Sequence, residues 1–244
     1  MNARLTEYQQ PIGPPVDGWS RRPEPPRTPM TGRHCIVRPV DVDADARDLY
    51  DAFASAPDDR DWTYLFVGPF ATFESYRDYL SQAAKTSDPL HHTIDDLRTG
   101  RAVGTSAFMR IEPAHGVIEV GHVTYSPLMQ RSAVATEATY LMMKRAFDEL
   151  GYRRYEWKCD DNNLRSRAAA ARYGFTFEGI FRQAIVYKGR SRDTAWFSIV
   201  DTEWPAIREG FERWLDVSNF DDQGNQKQKL GELIVACRER LTNG

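Results

Sequence analysis

The chain has 244 residues, enough for one large domain or one domain with extensions, and with 41 % hydrophobic and 12 % aromatic residues it can build a sizeable core. A net charge of −3 argues against nonspecific nucleic-acid binding, because no overall basic excess is there to neutralise phosphates. Three cysteines (Cys35, Cys159 and Cys237) without a CxxC indicate neither a disulfide framework nor a zinc knuckle. No apolar run approaches the ~20 residues of a membrane helix, and the N-terminus lacks the apolar stretch of a signal peptide. A reduced, cytoplasmic protein without a membrane or nucleic-acid partner is the expectation.

Residues 1–31 are poor in aliphatics and hold half of the chain's 14 prolines, in "PIGPP" and "RRPEPPRTP". They read as an extended, proline-rich arm, either disordered or anchored through Tyr8, Ile12, Val16 and Trp19. Regular signals begin at "HCIVRPV" (34–40), a short strand in which Cys35 and Val37 alternate against Ile36, Arg38 and Val40. Ala46, Leu49, Tyr50 and Phe53 then fall on one helical face. A second helix follows Thr72, a natural N-cap, with Phe73, Tyr76 and Leu80 as its apolar stripe. Strands are predicted over 91–97, 102–111 and 117–125, joined by connections short enough for an antiparallel meander. "SPLMQRSAVATEAT" (126–139) leads into a helix over 134–150 with Gly151 at its C′ position. A strand at 153–159, a helix at 164–173 and two strands around 188–192 complete the order β-α-α-β-β-β-α-β-α-β-β. Two closing helices carry Trp204, Ile207, Phe211 and Trp214, then Leu230, Leu233, Ile234, Cys237 and Leu241; they are expected to pack on the domain or on a second subunit, which makes a homodimer an option. The predicted organisation is therefore an arm (1–31), a domain (32–200) and a helical extension (201–244).

Two segments carry the chemistry. In the first, Pro127 blocks continuation of a strand that ends near Tyr125, and a helix begins near Val134. Amides of Arg131 to Thr136 then lie at or just before a helix N-terminus, where unpaired N–H groups and the helix dipole favour an anion such as a pyrophosphate. Neither GxxxxGK[ST] nor GxGxxG is present. In the second, "CDDNNLRSRAAAARYGF" (159–175), a strand runs into Asn162, Asn163 and Ser166 and then an alanine-rich helix. Asn and Ser at a helix start are also ordinary capping chemistry.

Together the two segments resemble the acyl-CoA-binding core of the GNAT superfamily of N-acetyltransferases, in the branch similar to the ribosomal-protein-alanine acetyltransferases RimJ and RimL. The resemblance covers roughly residues 33–200. The family's pyrophosphate loop, Gln/Arg-x-x-Gly-x-Gly/Ala followed by Ala-Thr-Glu-Ala, is matched by Gln130, Ala133, Ala135 and "ATEA" (135–138), with Ala133 in place of the first glycine. Its Asn-x-x-Ser to Gly-Phe motif is matched by Asn163, Ser166, Gly174 and Phe175. The resemblance implies an α/β (α+β) fold with a mixed, twisted central sheet flanked by helices, whose strands 117–125 and 153–159 splay apart to admit acetyl-CoA. It implies that Val123, Thr124 and Tyr125 bind the pantetheine through their backbone. Gln130, Arg131, Ser132, Ala133, Val134, Ala135 and Thr136 would hold the pyrophosphate, and Asn163 and Ser166 would touch the pantetheine arm. The substitution at Ala133 requires that residue to avoid a positive φ or to accept strain.

The implied reaction moves an acetyl group from acetyl-CoA directly to a primary amine, either a small molecule or a peptide N-terminus. It uses a base for the amine, a donor for the oxyanion and an acid for the departing thiolate. By resemblance the acid is Ser166; the tyrosine that other members carry four residues later is Ala170 here. Glu119 and His122 on the strand 117–125 are the base candidates; a surface position for Glu119 and a core position for His122 are the alternatives. Arg192 and Asp193 sit at a loop–strand junction where substrates would enter, or form a structural ion pair. His91 and His92 point to opposite faces of a strand and cannot chelate one ion together, so no metal is expected. The arm and the helix pair within 41–86 would narrow the acceptor side and favour small or short substrates. A non-catalytic acyl-CoA sensor is the competing reading, separated from an enzyme by whether base and acid work.

Overall fold

A computed structural model describes residues 4–243. Its centre is an eight-stranded sheet built from β3 (Met30–Thr31), β4 (Cys35–Pro39), β5 (Leu90–Asp96), β6 (Arg101–Glu112), β7 (Val117–Tyr125), β8 (Arg154–Asp160), β9 (Thr176–Tyr187) and β10 (Arg190–Val200), in the spatial order β3-β4-β5-β6-β7-β8-β10-β9. β1 (Arg4–Leu5) and β2 (Pro11–Ile12) form a separate two-stranded ribbon in the arm. Every neighbour in the large sheet is antiparallel except β7 and β8. The parallel pair follows from its connection: a helix returns the chain, whereas the meander uses short turns. The predicted strands are all present in the predicted order; β3 is an addition, so the last two residues of the expected arm are an edge strand.

The helices divide between the two faces. α1 (Val42–Ala54), capped by Asp41, and α2 (Phe73–Ala83), capped by Thr72 in a reciprocal box with Ser75, bury Ala46, Leu49, Phe53, Tyr76 and Leu80 in a small core of their own with Trp62. α3 (Ala133–Lys144) lies on the opposite face with α4 (Leu164–Arg172), α5 (Trp204–Leu215) and α6 (Leu230–Asn243). α3 does not run as one α-helix to Leu150: its last turn, Arg145–Glu149, widens into a π-turn before Gly151, which has a φ of +68°. Of the two expected packings, the closing helices take the one on the domain: Trp204, Ile207, Phe211, Trp214, Leu230, Leu233 and Ile234 join the main core with Tyr155 and Trp157, while Leu241 is exposed. α5 and α6 approach closely because Gly210 has no side chain; a Cβ there would lie 2.6 Å from Ile234.

The arm is tied down by Trp19, whose indole N–H donates to the Ala114 carbonyl at 3.0 Å, and by Arg145, which donates to the carbonyl of Pro29 and the hydroxyl of Thr28. Tyr8, Ile12 and Val16 stay exposed. Ala114 belongs to the β6–β7 turn, at the end of the sheet where β7 and β8 are paired. The arm's anchors therefore lie away from the end of the sheet where β7 and β8 are no longer paired.

Candidate active site

β7 and β8 pair only from Val117 to Val120 against Arg154 to Trp157, although both strands continue, to Tyr125 and Asp160. Beyond Val120 the two strands part. The parting coincides with a bulge: between the pairs Ala107↔Gly121 and Thr105↔Thr124, β7 holds one residue more than β6. His122 takes a φ of +49° there. An extra residue turns the local backbone out of the ladder, so the amides and carbonyls near Val123 lack a strand partner on the β8 side.

The turn after β7 answers the question raised by Ala133. The left-handed residue is Arg131, with a φ of +60°. Ser132, extended at φ −111° and ψ 171°, is the N-cap, and Ala133 is the first residue of α3. Glycine is not needed at 133 because the sharp bend falls two residues earlier. Of the amides expected to face an anion, those of Ser132, Ala135 and Thr136 are occupied, by the Met129 carbonyl, the Ser132 hydroxyl and the Ser132 carbonyl. The amides of Arg131, Ala133 and Val134 donate to no acceptor among the described residues. The predicted cradle is thus narrowed to three donors beside the positive end of a buried helix, with the Arg131 side chain exposed next to them. Thr136 is buried and accepts a hydrogen bond from Arg172 of α4 at 3.2 Å. The side chain of Gln130 is used within the protein: its amide donates to the Tyr125 carbonyl at 2.8 Å and to Asp61 at 3.0 Å. One of the three backbone carbonyls expected to face pantetheine is therefore already engaged.

Glu137, inside "ATEA", has a structural task that sequence reasoning did not assign. Its carboxylate accepts from the backbone amides of Arg33, His34 and Cys35 at 2.8, 2.6 and 2.9 Å. These bonds fasten α3 to the β3–β4 turn, and three charge-assisted bonds make a strong anchor.

The turn after β8 holds the predicted Asn163 and Ser166. Asn163 is the N-cap of α4, its side-chain oxygen accepting from the Ser166 amide at 3.1 Å. The Ser166 hydroxyl accepts the indole N–H of Trp157 at 2.9 Å. That bond leaves the hydroxyl proton free to point elsewhere, and it lies beside Cys159, a buried thiol pushed up by desolvation. Gly174 ends α4 with a φ of +88° and Phe175 is buried, which accounts for the Gly-Phe pair.

Glu119 is not surface-facing: it is 5 % exposed, with Lys158 at 2.8 Å and Arg110 at 3.2 Å. Lys158 also pairs with Glu156 at 2.7 Å and sits 3.8 Å from the Trp196 ring, and Arg154 links Glu156 to Glu178. Desolvation raises the Glu119 carboxyl, and the Lys158 charge opposes that rise. Among the described residues His122 forms no such pairs; its ring meets His91 edge-on at 4.8 Å, and burial lowers it below the usual histidine value. His91 is lowered further, to about 4, by burial and by His122. His92 packs on Phe108 on the opposite face, as alternation along β5 requires.

Residues 59–71, the segment between the two helices of the 41–86 region, tie the loops at the parted end together. Asp61 bridges Gln130 and Arg165, the Tyr64 hydroxyl donates to the Asn162 carbonyl, and Lys188 donates to the carbonyls of Trp62, Val67 and Gly68. This strap connects the turn after β7, the turn after β8 and the β9–β10 hairpin. Its contacts are between side chains and backbone far apart in sequence, and no local pattern announces them. Arg192 and Asp193 do not form an ion pair. Asp193 accepts the Gln183 amide at 2.7 Å, and Arg192 lies against Phe66 and Tyr187.

A parted parallel pair, a bulge on one strand and free amides at the following helix are the arrangement expected of an acyl-CoA site. The family profile of the acetyltransferase (GNAT) domain matches residues 34–176. The chain is a member of the GNAT acetyltransferase family. It is 45 % identical to a GCN5-related N-acetyltransferase from Brucella melitensis, over 90 % of this chain and all of that one, with a TM-score of 0.88. A probable GNAT-family acetyltransferase from Chromobacterium violaceum is 39 % identical over 80 % of this chain and 98 % of that one, with a TM-score of 0.74. The ribosomal L7/L12 α-N-protein acetyltransferase RimL shares 18 % identity at a TM-score of 0.60, over 70 % of this chain and 93 % of that one, a likeness of fold alone. No functionally curated protein matches the chain.

Proposed function

We propose that this GNAT protein transfers the acetyl group of acetyl-CoA to a primary amine bound between the parted strands and the strap. The observation that carries the reading is the coincidence of two features at one end of β7: the break in pairing after Val120 and the unpaired amides of Arg131, Ala133 and Val134. The residues present fit acetyl-CoA, which would supply an activated acyl group. The three amides and Arg131 would hold its pyrophosphate, and backbone groups of Val123 and Thr124 would line its pantetheine, with Asn163 and Ser166 on the β8 side.

The remaining chemistry falls to side chains of this chain. His122 is the better base, because its depressed basicity keeps the imidazole neutral at pH 7, whereas Glu119 is bound by two cations. Glu119 and Lys158 fix the charge around the acceptor. Ser166, oriented by Trp157, is the proton donor to the departing sulfur. Amides of the bulge are the donors available to charge that develops on the acyl oxygen. The fully used carboxylate of Glu119 and the strap over the gap favour a small or short amine over a folded protein surface; the RimJ/RimL-like assignment to a protein N-terminus rests on sequence motifs only.

Thermal denaturation with CoA and acetyl-CoA tests the first half: both should raise the midpoint at millimolar ligand. No shift would remove the acyl-CoA reading altogether. Thiol release with a panel of amines tests the second half. Binding without release for any amine would favour a non-catalytic acyl-CoA sensor.

A further inference from the structure

Resting on the acetyltransferase reading, we infer that the acceptor is an amine that also carries a carboxylate, and that Arg192 recognises it. Arg192 is 6 % exposed, yet its side chain makes no hydrogen bond or ion pair with any described residue, and its Nε is buried without an acceptor. Two other cations of its hairpin are occupied, Lys188 by three carbonyls of the strap and Arg190 by the Thr63 carbonyl, and Arg182 of β9 is exposed. The neighbouring carboxylates are occupied too. Asp160 takes the Tyr187 hydroxyl at 2.8 Å and the amide and side chain of Asn162, and Asp193 takes the Gln183 amide.

A buried, unpaired guanidinium is costly, far more so than an apolar residue of similar volume in the same place. Packing alone does not call for an arginine. The planar group lies against the rings of Phe66 (5.3 Å) and Tyr187 (6.0 Å), which leave its edge, the five-donor fork, free of stacking. That fork matches a carboxylate in a bidentate pair.

Position supports the same ligand. Arg192 precedes a break in the β9–β10 register, and Thr194 just beyond it pairs with Asp160 at the parted end of β8. Its charge is close enough to Cys159 to bear on that thiol. Phe66, beside the guanidinium, is a half-exposed residue of the strap. An amino acid has the matching polarity: its amine belongs with the neutral His122 on the β7 side, and its own carboxylate with Arg192. The strap and the hairpin that carry Phe66 and Arg192 are held together by Lys188, so the site is preformed.

The test uses ω-amino acids from β-alanine to 6-aminohexanoate and the α-amino acids, each against its own carboxamide, with thiol release as the readout. The best acid should exceed its carboxamide by roughly 30-fold or more in kcat/KM, the scale of one charge-assisted pair. In Arg192→Gln that ratio should collapse to within about threefold, while Arg192→Lys should keep part of it, because charge remains and the fork is lost. A ratio near one in the wild-type protein overturns the inference, as does an Arg192→Gln variant that keeps the ratio and instead raises the KM of acetyl-CoA. If no amine is acetylated, the CoA-saturated protein is melted with the same pairs. A larger midpoint shift with acids than with amides, lost in Arg192→Gln, upholds the carboxylate site while acetyl transfer fails. Equal shifts sink both.

Discussion

The turns after β7 and β8 are built alike and prepared for opposite tasks. Each takes the chain from a strand of the parted pair into a helix, and each has a side-chain N-cap, Ser132 in one and Asn163 in the other. The first leaves three amides unpaired and sets an arginine among them. The second is lined with carboxylates, Asp160 and Asp161, and satisfies most of its donors: the amide of Asn162 bonds the Asp160 side chain, that of Asn163 the Asp160 carbonyl, and that of Leu164 the Asn162 carbonyl. Equal dipoles therefore do not make equal anion sites. What decides is whether the turn spends its donors internally and which charges stand beside it.

The largest effect should come from placing the same carboxylate at the first residue of each helix. Ala133→Asp should weaken CoA binding by about 100-fold or more, through repulsion and competition for the free amides, while the unliganded midpoint holds or rises because an acidic residue suits a helix N-terminus. Leu164→Asp, at an exposed position already flanked by acid, should change CoA affinity less than about threefold. Titration calorimetry of the two variants reads the difference, and equal losses would erase the distinction between the turns.

Next in size is the division of proton transfer between the strands. Ser166→Ala should lower kcat by roughly 10- to 100-fold, at or below the low end of general acid–base catalysis because a thiolate leaves readily, with little change in the KM of acetyl-CoA. A loss confined to KM would make Ser166 a binding group only.

The pH profile sharpens the same division. Burial lowers His122, so the neutral imidazole predominates at pH 7 and protonation sets in only below the ordinary value near 6.5. The rate should hold down to that value and then fall as pH decreases, approaching tenfold per unit. The acid limb should disappear in His122→Ala and keep its position in Ser166→Ala. A limb that moves in the serine variant would assign it to the β8 side.

The smallest effect concerns Arg131. Its φ of +60° is a strained position that glycine tolerates, so Arg131→Gly should raise the midpoint slightly, by the equivalent of about 0.5–1 kcal/mol. Losing the charge should weaken CoA binding several-fold and flatten its salt dependence. A stabilised variant that binds CoA as tightly as wild type would show that the backbone alone holds the phosphates.

Much of this architecture was legible along the chain. Alternation in 34–40, helical spacing at Ala46, Leu49 and Phe53, the Thr72 cap and the Gly151 and Gly174 stops are short-range signals. They report which residues must be buried and where a backbone can turn, and local physics sets both. The two motifs located the turns after β7 and β8 and gave the chain its family resemblance. The closing helices were legible as apolar faces, though not as part of the main core.

Tertiary structure alone decided the rest. It let Ala133 avoid a positive φ by placing the left-handed residue at Arg131, because the turn is closed by bonds among Ser126, Met129 and Gln130 and by the Gln130 reach to Tyr125. It gave Glu119, a base candidate or surface residue by sequence, the partners Lys158 and Arg110, gave Glu137 three backbone amides to hold, and laid the 59–71 strap across the gap through Asp61 and Lys188. It separated Arg192 from Asp193 and left the guanidinium unpaired. The sequence by itself determined which strands and helices form and in what order, because periodicity, caps and turn residues act within a few positions. Which amides stay free, which charges are matched and what covers the gap depended on partners tens of residues away, whose meeting only the folded chain brings about.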